Sequence, residues 1–515
     1  MCRIDCYRVI TGALSMDAVV VFDCGSTNLR VAVIDQRGSI LAQASKPNSP
    51  SPQPGHEEWL IWDVDQIWHK LCSLSRTVMK LVDSKLVKAV AVTTWGADGA
   101  LVKRDGSLAY PAISWQCSRT RTVVKEVVER VEPREIFSIT GYQVIYFNTL
   151  FKLLWIRRNA PKAFERAYTW LMMPGLIAHR LSGEFHIDPT SASTMMAMDL
   201  ARRDWSPEML EIVNLDPSFF PEWKEPGEVV GYVTEEACRA TGIPENTPVI
   251  AAGHDTQFAI MAAGASEGEA VLSSGTWEIL GLRLDRFDPN DRAFEEGVII
   301  EADVEPGLWN PQLLMIASAV LEWVKRLLYP ELGPGEYEEM LREAMSIPPG
   351  SNGVIFIPSF VRDSGPTRKY GTKGTILGLE LGTTRAHLYR AAVEGLSLQL
   401  RLALEILEEA FSFKARGVRV VGGGSKNELW NMIRAEVLGI PVTTTRFAEA
   451  TILGAALTAF KGIGVFKSLR EALQSLDWRV GVYEPSGIRV YEKLYRDYKT
   501  LLQTLKHHYL RKWLS

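Results

Sequence analysis

Two similar units, each with a small Gly/Ser/Thr turn between strand-like apolar runs, constrain the fold of this chain most. In the first unit, the turn at residues 23–28 joins apolar runs at 18–22 and 29–34. In the second unit, residues 274–276 lie between apolar runs on both sides. A turn of this composition exposes backbone N–H groups and suits a phosphate. Because the units lie about half the chain apart, they indicate two duplicated halves, each with one phosphate-binding turn.

The length of the chain favours two domains. At 515 residues it exceeds the size at which a single hydrophobic core usually stops growing, and ligands often bind in the cleft between two domains. Strand-like runs that alternate with helical patterns indicate the α/β class. We expect an extension without regular structure at residues 1–15, a first domain at 16–262, a second domain at 263–485 and a C-terminal helix at 486–515.

Charge and cysteine content exclude several classes of protein. The 57 basic and 61 acidic residues give a net charge of -4, so no broad positive surface is expected for nucleic acid or an anionic membrane. The six cysteines form no CxxC pair, which argues against a disulfide framework or a zinc site. No apolar run approaches the roughly 18 residues that a membrane span needs. A cytoplasmic protein with small-molecule partners fits best, and homodimer formation stays open.

One isolated carboxylate stands out as a candidate catalytic group. Asp255 lies in the segment 253–257, between apolar runs at 249–252 and 258–262. Removing a carboxylate from water is costly, so such a group is either paired or reserved for chemistry. It could act as a base near the second turn, or it could cap the helix that follows it.

Polar and aromatic residues also collect after other predicted elements. Residues 95–99 follow a strand predicted at 87–94, and ligand contacts concentrate at such strand ends. The segment 113–120 combines aromatic, amide and guanidinium groups, which suit a polyol or form a packed aromatic beside a surface arginine. Lys152 and Trp155 share one face of a helix that begins near Asn148, a geometry that suits domain packing as well as catalysis.

A glycine run at residues 422–424 follows a strand and precedes a helix that ends near Leu438, where a nucleotide could approach the backbone closely. The run is not a GxGxxG fingerprint, and the chain contains no GxxxxGK[ST] P-loop. By itself the run is a weak signal. A further helix is expected over residues 314–328.

Two segments resemble signatures of the FGGY carbohydrate kinases, which belong to the actin, Hsp70 and hexokinase superfamily. Residues 147–156 read Phe-x-Thr-x-x-Lys-Leu-x-Trp-Ile, and residues 422–427 read Gly-Gly-Gly-Ser-x-Asn. The resemblance covers about residues 16–481. It implies two ribonuclease-H-like α/β domains with a cleft between them, and an enzyme that transfers the γ-phosphoryl group of ATP with the help of Mg²⁺.

The resemblance also implies roles for individual residues. Asp255 would be the base that accepts the proton of a ketose C1 hydroxyl, and Asp23 would be the Mg²⁺-side carboxylate, unless it only stabilises its turn. The nucleotide would be held by Gly25, Ser26, Thr27, Asn28, Gly275, Thr276, Gly423 and Gly424. The sugar hydroxyls would contact Trp95, Gly96, Asp98, His254, Thr256 and Asn310, although His254 could also be a satisfied core residue.

Finer features of the sequence imply a substrate. Residues 93–100, 113–117, 253–257 and 274–279 resemble most the branch of the family that phosphorylates L-fuculose. Glu278 distinguishes this pattern from that of the rhamnulose kinases, which usually lack a glutamate there. Residue 118 departs from the branch, which has proline there, so L-rhamnulose or another ketose remains an alternative.

A different class also uses paired phosphate turns. An actin-like or Hsp70-like ATPase, or a sugar-responsive regulator, would share Asp23 and Thr276. Asp255 and the cluster at residues 95–98 favour the kinase, and so does the absence of a DNA-binding module or long peptide-binding appendage.

Overall fold

The computed structural model describes residues 3–5, 16–333, 335–361, 364–478 and 481–510. Its core contains two seven-stranded sheets. The strands of the first sheet are β1 (Arg3–Asp5), β2 (Ala18–Cys24), β3 (Asn28–Asp35), β4 (Ile40–Pro47), β5 (Val87–Thr94), β6 (Val229–Tyr232) and β7 (Pro248–Ile250). The strands of the second sheet are β8 (Glu269–Ser274), β9 (Trp277–Gly281), β10 (Ile299–Ala302), β11 (Trp309–Ile316), β12 (Gly417–Val421), β13 (Val442–Thr444) and β14 (Gly481–Tyr483).

The two sheets share one topology. Their strand orders are β1-β4-β3-β2-β5-β7-β6 and β10-β11-β9-β8-β12-β13-β14. In each sheet three antiparallel strands, β2 to β4 and β8, β9 and β11, continue into two parallel ones, β5 and β7 or β12 and β13. The duplication predicted from the two strand, turn, strand units is therefore confirmed, as is the α/β class.

Short strands and, within the described residues, eighteen α-helices surround the sheets. The small sheets consist of Ser51–Gln53, His56–Trp62 and Ala112–Ile113, and of the pairs Gly99–Val102 with Thr169–Met172, His186–Ile187 with Glu222–Trp223, Met198–Asp199 with Asp204–Trp205, and Ile355–Ile357 with Thr375–Leu377. The helices are α1 (Val64–Met79), α2 (Arg121–Val128), α3 (Pro133–Thr140), α4 (Thr149–Asn159), α5 (Pro161–Arg166), α6 (Met173–Ser182), α7 (Pro189–Ala192), α8 (Pro207–Ile212), α9 (Glu235–Thr241), α10 (Asp255–Met261), α11 (Asp291–Glu296), α12 (Ser318–Leu328), α13 (Glu338–Met345), α14 (Arg385–Phe411), α15 (Glu428–Leu438), α16 (Ala450–Gly462), α17 (Leu469–Gln474) and α18 (Arg489–Leu510). Among the described residues, no helix is both long enough and apolar enough to cross a membrane.

Burial explains why the central strands read as continuous apolar runs. All seven residues of β2 are buried, because the strand has helices on both faces. Helix α1 covers one face with Ile67, Leu71, Leu74 and Val78, and the side chain of Asp63 caps its first turn.

Helix α16 covers the other face of the first sheet, although it follows the second sheet in the chain. Its residues Ile452, Leu453 and Leu457 join the cluster that contains Val19 and Val21 of β2. The helix contacts both β2 and β5. The second half of the chain thus completes the hydrophobic core of the first half. The boundary proposed at residues 262/263 falls between the strands of the two sheets, but α16, which follows it, belongs to the core of the first sheet.

The structure corrects two local predictions. Arg3–Asp5 forms a strand that pairs antiparallel with β4, so the expectation of an unstructured extension is wrong for these three residues. The other residues of 1–15, and residues 511–515 of the predicted C-terminal helix, lie outside the described residues. The helix expected over 314–328 begins only at Ser318, because residues 314–316 pair with β9 as part of β11.

Candidate active site

The first phosphate turn joins β2 to β3. The N–H of Gly25 donates to the carbonyl oxygen of Asn28 over 2.9 Å and closes the turn. Asn48 holds the turn from behind, since its amide donates to the carbonyl of Gly25 (3.0 Å) and its N–H to that of Thr27 (2.7 Å). Ser26 is half-buried, and both Thr27 and Asn28 are exposed. The hydroxyls of Ser26 and Thr27 at the tip are therefore among the groups that this turn can offer to a phosphate.

The second turn joins β8 to β9 in a similar way. The N–H of Gly275 donates to the carbonyl of Trp277 (2.9 Å), and Thr276 is exposed at the tip. The first N–H group of α12, that of Ser318, donates to the carbonyl of Gly275 over 3.3 Å. In both turns the glycine N–H is used internally, a detail that composition alone did not show.

The glycine run packs directly on the second turn. A Cβ atom on Gly422 would lie 2.6 Å from the carbonyl oxygen of Ser274, and one on Gly424 would lie 2.0 Å from its hydroxyl oxygen. Gly423 is exposed, and no described atom outside its own neighbours lies within 4 Å of its Cβ position. Gly424 is thus required by protein packing, whereas Gly423 leaves room for a nucleoside. Asn427 caps α15 and so fixes the end of the run.

A buried ion pair stabilises the second turn through Ser274. Glu278 pairs with Arg434, and both side chains are fully buried. The hydroxyl of Ser274 donates to Glu278 (2.8 Å) and accepts from Arg434 (2.8 Å), and the guanidinium lies 3.8 Å from the Trp430 ring centroid. Glu278, which distinguishes the L-fuculose branch in the sequence, therefore holds Ser274 of the second phosphate turn.

Two carboxylates influence each other between the turns. Asp23 at the end of β2 is buried, and its Oδ2 lies 2.5 Å from the guanidinium of Arg30, which also pairs with Glu449. Burial raises the pKa of Asp23 to about 6, against the opposing charge of Arg30 and with a further contribution from Asp255. Burial likewise raises the pKa of Asp255, while the neighbouring His254 lowers it.

These neighbouring acids fit a magnesium nucleotide. A divalent cation near them would offset their charge, and Mg²⁺ usually keeps several waters and binds through one or two carboxylates plus phosphates. Within the described part of the chain, no group of three or more His, Cys, Asp or Glu side chains is arranged so that it could hold a metal ion by itself. Asp23 would therefore hold the cation together with phosphate and water ligands.

Asp255 is the first residue of α10, and its side chain keeps 27% of its surface exposed. Its Oδ1 accepts from the N–H of Thr256 (2.7 Å) and from the Thr256 hydroxyl (3.3 Å), and it lies 3.4 Å from Nε2 of His254. The hydrogen bonds and the ion pair that described residues make with this carboxylate all involve Oδ1. Its Oδ2 is the oxygen left for a substrate hydroxyl.

His254 lies between two acids. Its Nδ1 is 3.1 Å from Oε2 of Glu301, and its backbone N–H donates to the Thr190 hydroxyl. Burial opposes the positive charge, but Glu301, Asp255 and Asp188 outweigh it and raise the pKa of His254 to about 9. The imidazole is therefore charged at neutral pH.

This shift predicts a pH dependence of stability. Because the pKa of His254 rises from 6.5 to about 9 on folding, its contribution is complete below pH 6.5 and is lost as the pH rises through 9. We expect the free energy of unfolding to fall by up to about 3 kcal/mol over this window. Urea titrations at several pH values would measure the fall. A His254→Gln variant with the same dependence would contradict the assignment.

Asp98, a predicted sugar contact, is engaged by protein groups. The side chain is 0% exposed. Its Oδ2 accepts from the indole N–H groups of Trp62 (2.5 Å) and Trp95 (2.8 Å) and from the backbone N–H of Trp115 (3.1 Å), and its Oδ1 pairs with Lys152. Asp98 therefore holds Trp62, Trp95 and Trp115 together, and these three residues form an aromatic wall. Trp95 and Trp115 are the parts of this wall that retain some exposure.

Asn310, another predicted sugar contact, is also fully buried. Its amide nitrogen donates to the side-chain oxygen of Gln257 over 2.5 Å. Thr256 and His254 remain at the edge of the site, with Gly96 packed against the His254 ring: a Cβ on Gly96 would lie 3.0 Å from Nε2. Ala97 has a φ of 66°, a strained conformation for alanine that often occurs at functional sites.

Glu301, Arg434 and Asn48 also support the site, but their roles were not predicted from the sequence. Glu301 had a usable signal, because it interrupts the apolar run of residues 298–302 as Asp255 interrupts its own. The other two act through contacts across the fold. Arg119, in contrast, is buried against Trp59 and Trp155, so it packs inside the protein and is not the surface arginine of the packing alternative for residues 113–120.

Comparison with known proteins agrees with this architecture. Residues 18–262 match the N-terminal domain, and residues 270–463 the C-terminal domain, of the FGGY family of carbohydrate kinases. The chain belongs to this family. As an FGGY kinase it uses ATP with Mg²⁺ to phosphorylate an alcohol group of a carbohydrate.

Several relatives match this FGGY kinase over most of their length. It is 39% identical over 472 residues to L-fuculokinase of Salmonella typhi, covering 92% of this chain and 98% of the relative. L-Fuculokinase of Haemophilus influenzae is 33% identical over 484 residues, covering 92% of this chain and all of the relative.

Solved structures share the fold. Xylulose kinase from Rhodospirillum rubrum aligns with a TM-score of 0.83 at 25% identity, covering 96% of this chain and 100% of the other. Plasmodium falciparum glycerol kinase with ADP aligns with a TM-score of 0.82 at 20% identity, covering 95% of this chain and 98% of the other.

Proposed function

We propose that this FGGY kinase phosphorylates the C1 hydroxyl of L-fuculose and forms L-fuculose 1-phosphate. The observation that carries the proposal is the carboxylate of Asp255, which is 27% exposed and whose Oδ2 makes no hydrogen bond or ion pair with described residues. Relatives that bear the name L-fuculokinase, at 39% and 33% identity over nearly their whole length, support L-fuculose as the sugar.

Asp255 would act as the general base. Its Oδ2 would accept the proton of the C1 hydroxyl while that oxygen bonds to the γ-phosphorus and the bond from phosphorus to the bridging oxygen of ADP breaks. ATP supplies the phosphoryl group, and Mg²⁺ offsets the charge of the phosphates. Thr256 and His254 would hold Oδ1, so that the carboxylate keeps one orientation during transfer.

The other site residues would position the two substrates. The hydroxyls of Ser26, Thr27 and Thr276, with Gly25, Asn28 and Gly275 shaping their turns, would hold the triphosphate, and Gly423 would lie against the nucleoside. Trp95, Gly96, His254 and Thr256 remain the proposed contacts of the sugar. Asp98 and Asn310 would support these contacts from behind.

We also propose a cytoplasmic location. ATP is the phosphoryl donor, and Cys24, Cys72, Cys117 and Cys238, the cysteines within the described residues, are free thiols, as expected in a reducing compartment. Sedimentation analysis would decide whether the enzyme is a monomer or a homodimer.

A panel of ketoses would test the function. ADP release is expected to require a ketose, with the highest kcat/KM for L-fuculose over L-rhamnulose and D-xylulose, and NMR is expected to place the phosphate on C1. ATP turnover that ignores the sugar would favour an actin-like or Hsp70-like ATPase. Turnover that prefers another ketose would refute L-fuculose and keep the carbohydrate kinase.

A further inference from the structure

Both ring nitrogens of His254 face carboxylates. Nδ1 lies 3.1 Å from Oε2 of Glu301, and Nε2 lies 3.4 Å from Oδ1 of Asp255. A neutral imidazole has one N–H donor and one acceptor nitrogen, so it would direct a lone pair at one of these acids. The imidazolium, which carries an N–H on each nitrogen and a positive charge, fits this geometry without directing a lone pair at either acid.

Glu301 is itself held in place by hydrogen-bond donors. Its side chain is fully buried. The hydroxyl of Tyr142 donates to Oε1 over 2.6 Å, and the amide of Gln257 donates to Oε2. Asn310 donates to the oxygen of the same amide and thereby orients it. These contacts fix the position of the carboxylate that faces Nδ1 of His254.

The members of this network come from both halves of the fold. Glu301 and Asn310 are direct partners on the adjacent strands β10 and β11 of the second sheet. His254 and Gln257 belong to the start of α10, which follows the first sheet. The contact between Glu301 and His254 therefore connects the second sheet to the residue beside the catalytic base.

We propose that Glu301 is a positioning residue for phosphoryl transfer, which holds His254 as an imidazolium against Oδ1 of Asp255. The carboxylate then stays ionised, with Oδ2 directed to the sugar hydroxyl. This inference rests on the proposed function. It assigns a role to a residue that does not contact substrate.

Other charges act on the same groups. Asp188, at the start of α7, also faces His254, although its carboxylate accepts from Thr190 and Ser191. On the side of Asp255, Asp23 and Arg30 of the first sheet contribute opposite charges. Glu301 is the carboxylate closest to Nδ1, so its removal changes the charge of the imidazole most.

Glu301→Gln tests the proposal, because it keeps the shape of the side chain and removes its charge. In the ligand-free protein, the pKa of His254, measured by NMR, is expected to fall by about 1–3 units. Loss of the imidazolium removes a cation beside Asp255, so the acid limb of the kcat profile is expected to move to higher pH by about one unit. At neutral pH, kcat should fall at least about tenfold while the KM for ATP stays within about twofold.

Two further variants distinguish a positioning role of Glu301 from a nonspecific effect of removing a buried carboxylate. Glu296→Gln removes another buried carboxylate that pairs with Arg292 (2.9 Å) and Lys369 (2.6 Å) away from the site, and it should leave the pH profile unchanged. The double variant Glu301→Gln/His254→Gln should be no slower than His254→Gln, since Glu301 acts through the histidine.

The outcomes are distinct. An unchanged His254 titration in Glu301→Gln, an unmoved acid limb, or additive losses in the double variant would overturn the inference. A wild-type protein that phosphorylates no ketose would instead refute the proposed function, and the NMR titration, which needs no substrate, would still report on the ion pair.

Discussion

Asp255→Asn is expected to lower kcat by about a hundredfold to ten-thousandfold while the Kd for ATP stays within about twofold. The amide has the shape of the carboxylate but cannot accept the hydroxyl proton. Its oxygen can still accept from the N–H of Thr256, so the start of α10 should be preserved. Single-turnover kinetics with L-fuculose would measure the rate, and calorimetric titration would measure nucleotide binding.

Asp63→Asn provides a matched control for this variant. Asp63 is an exposed carboxylate that caps α1, and asparagine caps helices about as well as aspartate. Its kcat should equal that of the wild type. If Asp255→Asn lost nucleotide affinity in proportion to its rate, Asp255 would be a structural residue and the proposed base would be wrong.

Lys152→Met is expected to lower the free energy of unfolding by about 3–5 kcal/mol. The ammonium group is fully buried, pairs with Asp98 and donates to the carbonyl of Ala97 over 2.7 Å. Methionine fills a similar volume but leaves the Asp98 charge without its cation in the core. Equilibrium unfolding in urea would measure the loss.

Two comparisons test the cause of that loss. Lys162→Met, at an exposed position of α5, should change stability by no more than about 0.5 kcal/mol. Lys152→Met/Asp98→Asn should be more stable than Lys152→Met alone, because a neutral amide oxygen still accepts from the indoles of Trp62 and Trp95. Equal stability of the two Lys152 variants would show that the unpaired charge is not the cause.

The fold could be predicted from local sequence to a large extent. The runs that flank the two turns are apolar because β2 and β8 are central strands with helices packed against them, and their turns carry the small residues that tight hairpins need. Asp255 could be found because a charge between buried runs is costly. Its role as a base, in contrast, came from the family resemblance.

The partners of buried polar groups could not be predicted locally. Asp98 and Asn310 have the residue types of a sugar site, but their exposure depends on residues that are distant in sequence. Asp98 pairs with Lys152 on α4. Asn310 donates to Gln257, which lies 53 residues earlier in the chain. The same holds for the Glu301 and His254 pair. The need for glycine at position 424 has a simpler cause, because the hydroxyl of Ser274 occupies the space that a side chain would fill.

The packing of α16 on the first sheet limits where two members of this family can be recombined into one functional chain. Glu449 precedes this helix and reaches Arg30, which in turn pairs with Asp23. A chimaera joined at residue 262 would combine a sheet from one parent with the covering helix and the Arg30 partner of the other. Recombination that preserves the enzyme should therefore inherit residues 449–462 together with the first half of the chain.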